Sequence, residues 1–151
     1  MAQTATTSQA VDQLNSLLRG EISAVETYKL AIEKVGEEHV SDATQLRAIA
    51  QEHGEHAQRL REEIRRIGGD PVDSSGAWGV YAKTIEATAK LFGDTSALKG
   101  LKEGEEHGLK DYREALDNLD ESSRSLIAEV LMPAQQRHIT TLDAMMTKID
   151  R

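Results

Sequence analysis

Apolar residues recur at steps of three and four positions along four long stretches of the chain, which is the spacing of one face of an α-helix. This pattern predicts long helices over about residues 8–36, 42–67, 96–119 and 122–149. A shorter helix is predicted over residues 77–92, in the crossover between the second and third long helices. No segment alternates apolar and polar residues over a useful length, so no strands are predicted. The expected fold class is therefore all-α.

The two halves of the chain carry related patterns. The phrase L-x-x-L-x-x-G-E-x6-Y-x-x-A occurs twice, and its second copy places Glu105 at the position that Glu21 has in the first. In the second and fourth stretches, His56 and His138 are each followed by a Leu four residues later. The repeat predicts two helical hairpins, which pack face to face into a four-helix bundle with one long connection.

Polar residues interrupt the middle of each apolar face. They are Glu21 in the first stretch, His53 and His56 in the second, Glu105 in the third, and Gln135 and His138 in the fourth. Counted from the hairpin turns, the two carboxylates and two of the imidazoles (His56 and His138) all lie roughly 25 Å away at 1.5 Å per residue, so antiparallel pairing places them in one layer. Such a layer offers ligands for iron, manganese or zinc. A polar layer that fixes the register of the helices without a metal is the alternative.

Length and composition limit the other classes of function. A chain of 151 residues suits a single domain with a full core, predicted over residues 9–151 after a flexible tail at 1–8. The net charge of -8 argues against nonspecific nucleic-acid binding. No apolar run approaches the ~20 residues that a membrane span needs. The N-terminus lacks the features of a signal peptide, and the chain has no Cys for thiol or disulfide chemistry. We therefore expect a soluble protein, with the cytoplasm as the default location.

Three further features bear on the polar layer. Glycines precede both glutamates, at Gly20 and Gly104, and indicate either a close approach of helices or room beside the site. Tyr28 and Tyr112 lie two turns beyond those glutamates and are expected in the core or in a hydrogen bond to the site. Pro133 is expected to kink the fourth helix just before Gln135.

The same motifs resemble those of a known superfamily. The phrase L-N-x-L-L-x-x-E-x-x-A-V-x-x-Y, from Leu14 to Tyr28, resembles the first helix of bacterioferritin. The segment E-H-A-Q-R-L at 55–60 resembles the second helix of ferritins, and L-x-x-G-E-x6-Y-R-E-A-L at 101–116 resembles a ferritin-like third helix. The chain as a whole is more similar still to a bacterial family of ferritin-like domains of unknown function, related to bacterioferritin and rubrerythrin, which has a short helix in its crossover.

The resemblance implies a ferritin-like four-helix bundle that binds metal. It places Glu21, His56, Glu105 and His138 on positions that hold a di-iron centre. That centre also uses a Glu three residues before each His, and here those positions are His53 and Gln135.

The missing carboxylates favour one ion, or a weaker and differently bridged pair. Iron is the metal that the resemblance favours, with manganese and zinc as alternatives. The haem-binding Met of bacterioferritin is replaced by Gly54, so no haem is expected. Glu52 lies one position off the apolar face, within reach of the layer.

Three functions stay open at this point. The first is metal binding at the bundle centre, linked by analogy to iron or oxidative-stress handling. The second is a ferroxidase or peroxide-type oxidoreductase, and the third is a metal-free structural or interaction bundle. Whether the protein is an enzyme is left open, as is assembly into a homo-oligomer. The only partner expected is the metal ion, with no nucleic acid and no membrane.

Overall fold

The computed structural model describes residues 7–35, 40–76 and 94–149. Within these ranges the regular structure is helical, without strands, which confirms the all-α prediction for that part of the chain. The helices are α1 (Thr7–Val35), α2 (Val40–Arg66), α3 (Asp94–Ala115), α4 (Glu121–Leu126) and α5 (Met132–Ile149). None of the helices described here is long and apolar enough to cross a membrane. The short helix predicted over residues 77–92 lies outside the described residues.

The fourth predicted helix is built from three consecutive pieces. A π-helical segment, Ile127–Leu131, joins α4 to α5, and within it the amide of Met132 donates to the carbonyl of Ile127, five residues back. Pro133 has no amide hydrogen, and its ring displaces the carbonyl four residues earlier, so a regular α-helix is unfavourable here. A π-helical turn encloses one more residue and accommodates this position. The irregularity predicted near Pro133 therefore takes the form of a π-helical segment on its N-terminal side.

The helices pack as a bundle around a common interior. Their most extensive contacts pair α1 with α2 and α3 with α5, and α1 also packs on α3. One apolar cluster contains Leu14, Leu60, Tyr112 and Leu131, and a second contains Leu46, Leu98, Leu142 and Met145. Each fully buried Leu contributes about 1.5–3 kcal/mol to folding. The polar residues predicted for the site lie between these two apolar clusters on α1, α2, α3 and α5. The candidate site therefore has an apolar layer on either side.

An ion pair joins the end of α2 to the residue that caps α4. The side chain of Asp120 caps α4 by accepting a hydrogen bond from the amide of Ser123 at 2.9 Å. Arg66, the last residue of α2, donates to the same carboxylate at 2.8 Å. This contact fixes the relative height of two helices that belong to different hairpins.

The first part of the crossover runs along α1. Asn15 donates to the carbonyl of Asp70 at 3.0 Å and accepts from the amide of Val72 at 2.9 Å. A Cβ at Gly69 would lie only 2.5 Å from the Val11 side chain, so glycine is required for this close approach. The segment is thereby held against the outer side of α1.

Candidate metal centre

The structure brings all six predicted site residues together at the middle of the bundle. Each is less than a tenth exposed: Glu21 from α1, His53 and His56 from α2, Glu105 from α3, and Gln135 and His138 from α5. They meet because each occupies the inward position of its helix, with Glu21, His56, Glu105 and His138 at one height and His53 and Gln135 about one turn away. Their role as metal ligands stays a prediction.

His53 occupies the centre of this group. Its Nδ1 lies 2.6 Å from Oε2 of Glu21, and its Nε2 lies 2.6 Å from Oε1 of Glu105. Both ring nitrogens can donate only when the imidazole is protonated. Burial works to lower the pKa of His53, but the two carboxylates outweigh it and raise that pKa well above 6.5. In the metal-free protein, a charged His53 therefore bridges two negative side chains.

Two tyrosines make hydrogen bonds from one hairpin to the other. Tyr28, on α1, donates to Oε1 of Glu105 at 2.6 Å, and Tyr112, on α3, donates to Oε1 of Glu21. Each tyrosine thus binds the glutamate of the other helix. Burial, together with the charge of Glu21, raises the pKa of Tyr112 well above 10 and keeps it a donor. The tyrosines are therefore both core residues and hydrogen-bond partners of the site.

Glu105 has a further neighbour in His138. Nδ1 of His138 lies 3.3 Å from Oε2 of Glu105. Burial tends to raise the pKa of Glu105, but the charge of His53 and the hydrogen bonds from both histidines lower it to about 2. Glu105 is consequently ionised at neutral and mildly acidic pH.

Glu52 is a third carboxylate that helical periodicity alone places outside the site. Its Oε1 lies 2.8 Å from Nε2 of His138, while Arg137 lies 3.6 Å from its other oxygen. About a third of the Glu52 side chain is exposed. Helical periodicity gives only the direction in which the Cα of a residue faces. A glutamate side chain is long enough to reach the interior from a position next to the apolar face. The sequence signal for Glu52 is its spacing from His56, because residues four positions apart lie on the same side of a helix.

Two polar atoms of the site have no hydrogen-bond partner among the described residues. They are Nδ1 of His56 and Oε1 of Gln135. Burial lowers the pKa of His56, which favours the neutral imidazole, and a neutral imidazole has one nitrogen lone pair available for coordination. The other end of the Gln135 carboxamide donates to the carbonyl of Glu105 at 3.0 Å. Buried polar atoms without partners are uncommon and point to a ligand.

The site residues form two overlapping sets of metal donors. One set is Glu21, His53 and His56, and the other is His53, Glu105 and His138; within each set the donor atoms lie within 4.8 Å of one another. His53 belongs to both, and a neutral imidazole has only one nitrogen lone pair to give. The two sets therefore compete for His53 unless its ring loses both protons. Two carboxylates also balance the charge of only one divalent ion.

The metal-free protein is expected to be most stable between about pH 4.5 and 6.5, the ordinary pKa values of Glu and His, because folding lowers the pKa of Glu105 and raises that of His53. Below 4.5 the unfolded state binds more protons than the folded state, because the pKa of Glu105 is lowered, so stability falls towards pH 2. Above 6.5 the folded state holds the His53 proton that the unfolded state has lost, so stability falls again. Urea unfolding in the presence of a chelator measures both limbs.

His53→Gln provides the control for this pH dependence. It keeps a polar side chain at the centre but cannot carry the charge, so its stability should no longer decline on the alkaline side. An equal alkaline decline in the variant and the wild type would mean that another group is responsible.

These features define an all-α helical bundle with a buried glutamate and histidine centre. The chain belongs to a family described as a domain of unknown function, DUF2383, whose model matches residues 9–118. The match includes Glu21, His53, His56 and Glu105 and ends before α4. No curated protein and no solved structure matches the chain. The predicted family of unknown function is thus confirmed, whereas the relationship to bacterioferritin and rubrerythrin gains no support from these comparisons and stays a prediction.

Proposed function

We propose that the protein binds a divalent metal ion at the centre of the bundle. The observation that carries the proposal is the buried His56, whose Nδ1 has no partner among the described residues and which can offer a ring nitrogen within 4.8 Å of a Glu21 oxygen. Iron is the first candidate on the strength of the bacterioferritin-like motifs, and manganese and zinc accept the same oxygen and nitrogen donors. Cytoplasmic location, assembly state and the lack of haem are further expectations.

The residues around the site have separable tasks. His53 would hold the ion together with either Glu21 and His56 or Glu105 and His138, and Glu52 is an additional carboxylate on the side of His138. Tyr28 and Tyr112 orient the carboxylates by donating to one oxygen of each. His53 holds a proton between the carboxylates until an ion replaces that positive charge. A bound ion would supply Lewis acidity or, for iron, one-electron redox chemistry.

A metal-free structural role is the second candidate, and a specific observation favours it. His53 already bridges Glu21 and Glu105 at 2.6 Å on both sides, so its positive charge offsets one of the two carboxylate charges without a metal. A buried polar layer of this kind can have the sole role of fixing helix register. It does not explain the unpartnered nitrogen of His56, which is why we place metal binding first.

Metal analysis of the purified protein separates the two functions. After exposure to Fe(II), Mn(II) or Zn(II) and removal of loosely bound ions, the wild type should retain about one ion per chain, as expected from the shared His53. The double variant Glu21→Ala/His138→Ala removes one ligand from each donor set and should retain none.

The double variant Glu55→Ala/His107→Ala is the matched control, since it removes the same residue types from exposed positions. It should retain as much metal as the wild type. Equal retention in all three proteins would show that metal binds elsewhere on the surface. A wild type that takes up no metal would favour the structural role.

A further inference from the structure

A cavity of about 70 Å³ lies between α1 and α3 and reaches the buried donors. Its inner wall includes Glu21, His53 and Glu105, together with the two tyrosines that hold the carboxylates. Its volume is about twice the share of liquid volume that one water occupies, so it admits an ion with part of its hydration shell. The cavity thus connects the site to the surface at a place where two hairpins meet.

Small residues keep this cavity open. Gly20 lines it from α1, and a Cβ built there would meet nothing within 4 Å. Gly108 lines it from α3, and a Cβ there would lie 2.5 Å from Nε2 of Gln135. Of the two explanations that the sequence allowed for Gly20, the structure therefore supports room beside the site. Gly108 leaves space for the Gln135 side chain to border the cavity.

The chemistry of the lining suits a cation. Gln135 is only 4 % exposed, and its carboxamide oxygen has no partner among the described residues. A buried oxygen acceptor without a partner, on a residue that lines the cavity with Glu21 and Glu105, favours a positive ion or a hydrogen-bond donor over an anion. At the outer end, Asp111 is partly exposed and lies 3.4 Å from His107. Carboxylates therefore occur at both ends of the cavity.

We propose that this cavity is the entrance through which a divalent cation reaches the bundle centre. Asp111 attracts the hydrated ion at the opening, Gln135 contacts it through its free carboxamide oxygen, and the glutamates receive it. The inference rests on the proposed metal binding and adds to it a route and two positioning residues. Three carboxylates line the cavity against the charged imidazole of His53, and an excess of one sign of charge raises the local concentration and association rate of the opposite charge.

Two matched glycines test the route. Gly20 and Gly54 both lie within helices, and a Cβ at either meets nothing within 4 Å, but only Gly20 lines the cavity. Alanine or leucine at either position should raise helix stability by up to about 1 kcal/mol. Leucine at position 20 should also fill the cavity.

The probe is Co(II) alone, mixed rapidly with metal-free protein while its visible absorption is followed. Gly20→Leu should slow Co(II) association by at least roughly tenfold, since binding then needs the helices to move apart. Gly20→Ala should slow it less, and Gly54→Leu should leave it within about twofold of the wild type. The final amount of bound Co(II) should be the same in all four proteins.

Asp111→Asn tests the electrostatic part without changing side-chain size. At low ionic strength it should slow Co(II) association by roughly three- to tenfold, and the difference should shrink as salt is added. Asp117→Asn removes the same charge from an exposed position outside the cavity and should have little effect.

The outcomes separate this inference from the proposed function. If Gly20→Leu and Asp111→Asn both bind Co(II) as fast as the wild type, the entrance lies elsewhere and the inference is wrong, although metal binding stands. If the wild type binds no Co(II), both are wrong. If Gly20→Leu does not fold, Asp111→Asn against Asp117→Asn decides alone.

Discussion

Replacing Glu105 with alanine is expected to lower the free energy of unfolding by about 3–5 kcal/mol, the usual cost of removing one partner from a buried ion pair. Glu105 accepts a hydrogen bond from Tyr28, faces the charge of His53, and lies beside His138. Without it, the Tyr28 hydroxyl loses its acceptor and His53 keeps only one counter-charge in a dry interior. Urea unfolding of the metal-free protein near pH 6 measures the loss.

The neighbouring residue provides the control. Glu106 is exposed, and Glu106→Ala should change the free energy of unfolding by no more than roughly 0.5 kcal/mol. The two variants differ only in whether the lost carboxylate faces the interior. A loss below about 1 kcal/mol for Glu105→Ala would mean that the buried network contributes no more than an exposed pair.

The double variant His53→Glu/Gln135→Glu is expected to gain iron oxidation and to lose stability without metal. It completes the set of four carboxylates and two histidines that a di-iron bundle uses. In the metal-free state the new carboxylate at position 53 would lie between Glu21 and Glu105, where His53 now supplies positive charge. Repulsion should then raise carboxylate pKa values and destabilise the bundle.

Fe(II) should reverse this loss. At a free concentration of a hundredfold over the dissociation constant, binding restores about 2.7 kcal/mol. Oxygen consumption on adding Fe(II) should be faster in the double variant than in the wild type. His53→Gln, which removes the imidazole without adding charge, should be no faster than the wild type. If the wild type already oxidises iron as fast as the double variant, His53 or Glu52 is serving as an adequate substitute ligand.

The central layer could be predicted because helix geometry is regular. A constant rise per residue and a repeated spacing are enough to bring Glu21, His56, Glu105 and His138 to one height. The same rule cannot say how far a side chain reaches, so the sequence puts Glu52 within reach of the layer and the structure shows that it contacts His138. It also cannot tell which hydrogen bond His53 makes with which carboxylate. That depends on how the two hairpins are rotated against each other, and a one-dimensional pattern carries no such information.

The positions of helix ends and irregular turns are harder to predict from the sequence. The fourth helix was predicted as continuous with a kink before Gln135, whereas its irregular part is the π-helical segment Ile127–Leu131. Pro133 signals that a regular hydrogen bond is missing, but the chain can absorb that loss in several ways. The third helix likewise ends at Ala115, and a 3₁₀ turn follows over Leu116–Asn118. Short 3₁₀ turns are frequent at helix ends, and this one does not change the spacing of apolar residues from which the helix was predicted.

The two tyrosines link the two halves of the chain at the centre of the bundle. Tyr28 from the first half donates a hydrogen bond to Glu105 of the second, and Tyr112 from the second half donates one to Glu21 of the first. Two copies of a single ancestral hairpin, related by a twofold axis, would meet in the same reciprocal way, as in an isologous dimer. The present chain carries the arrangement of such a dimer within one molecule, and among its six site residues His53 and Gln135 are the pair at which the two halves differ.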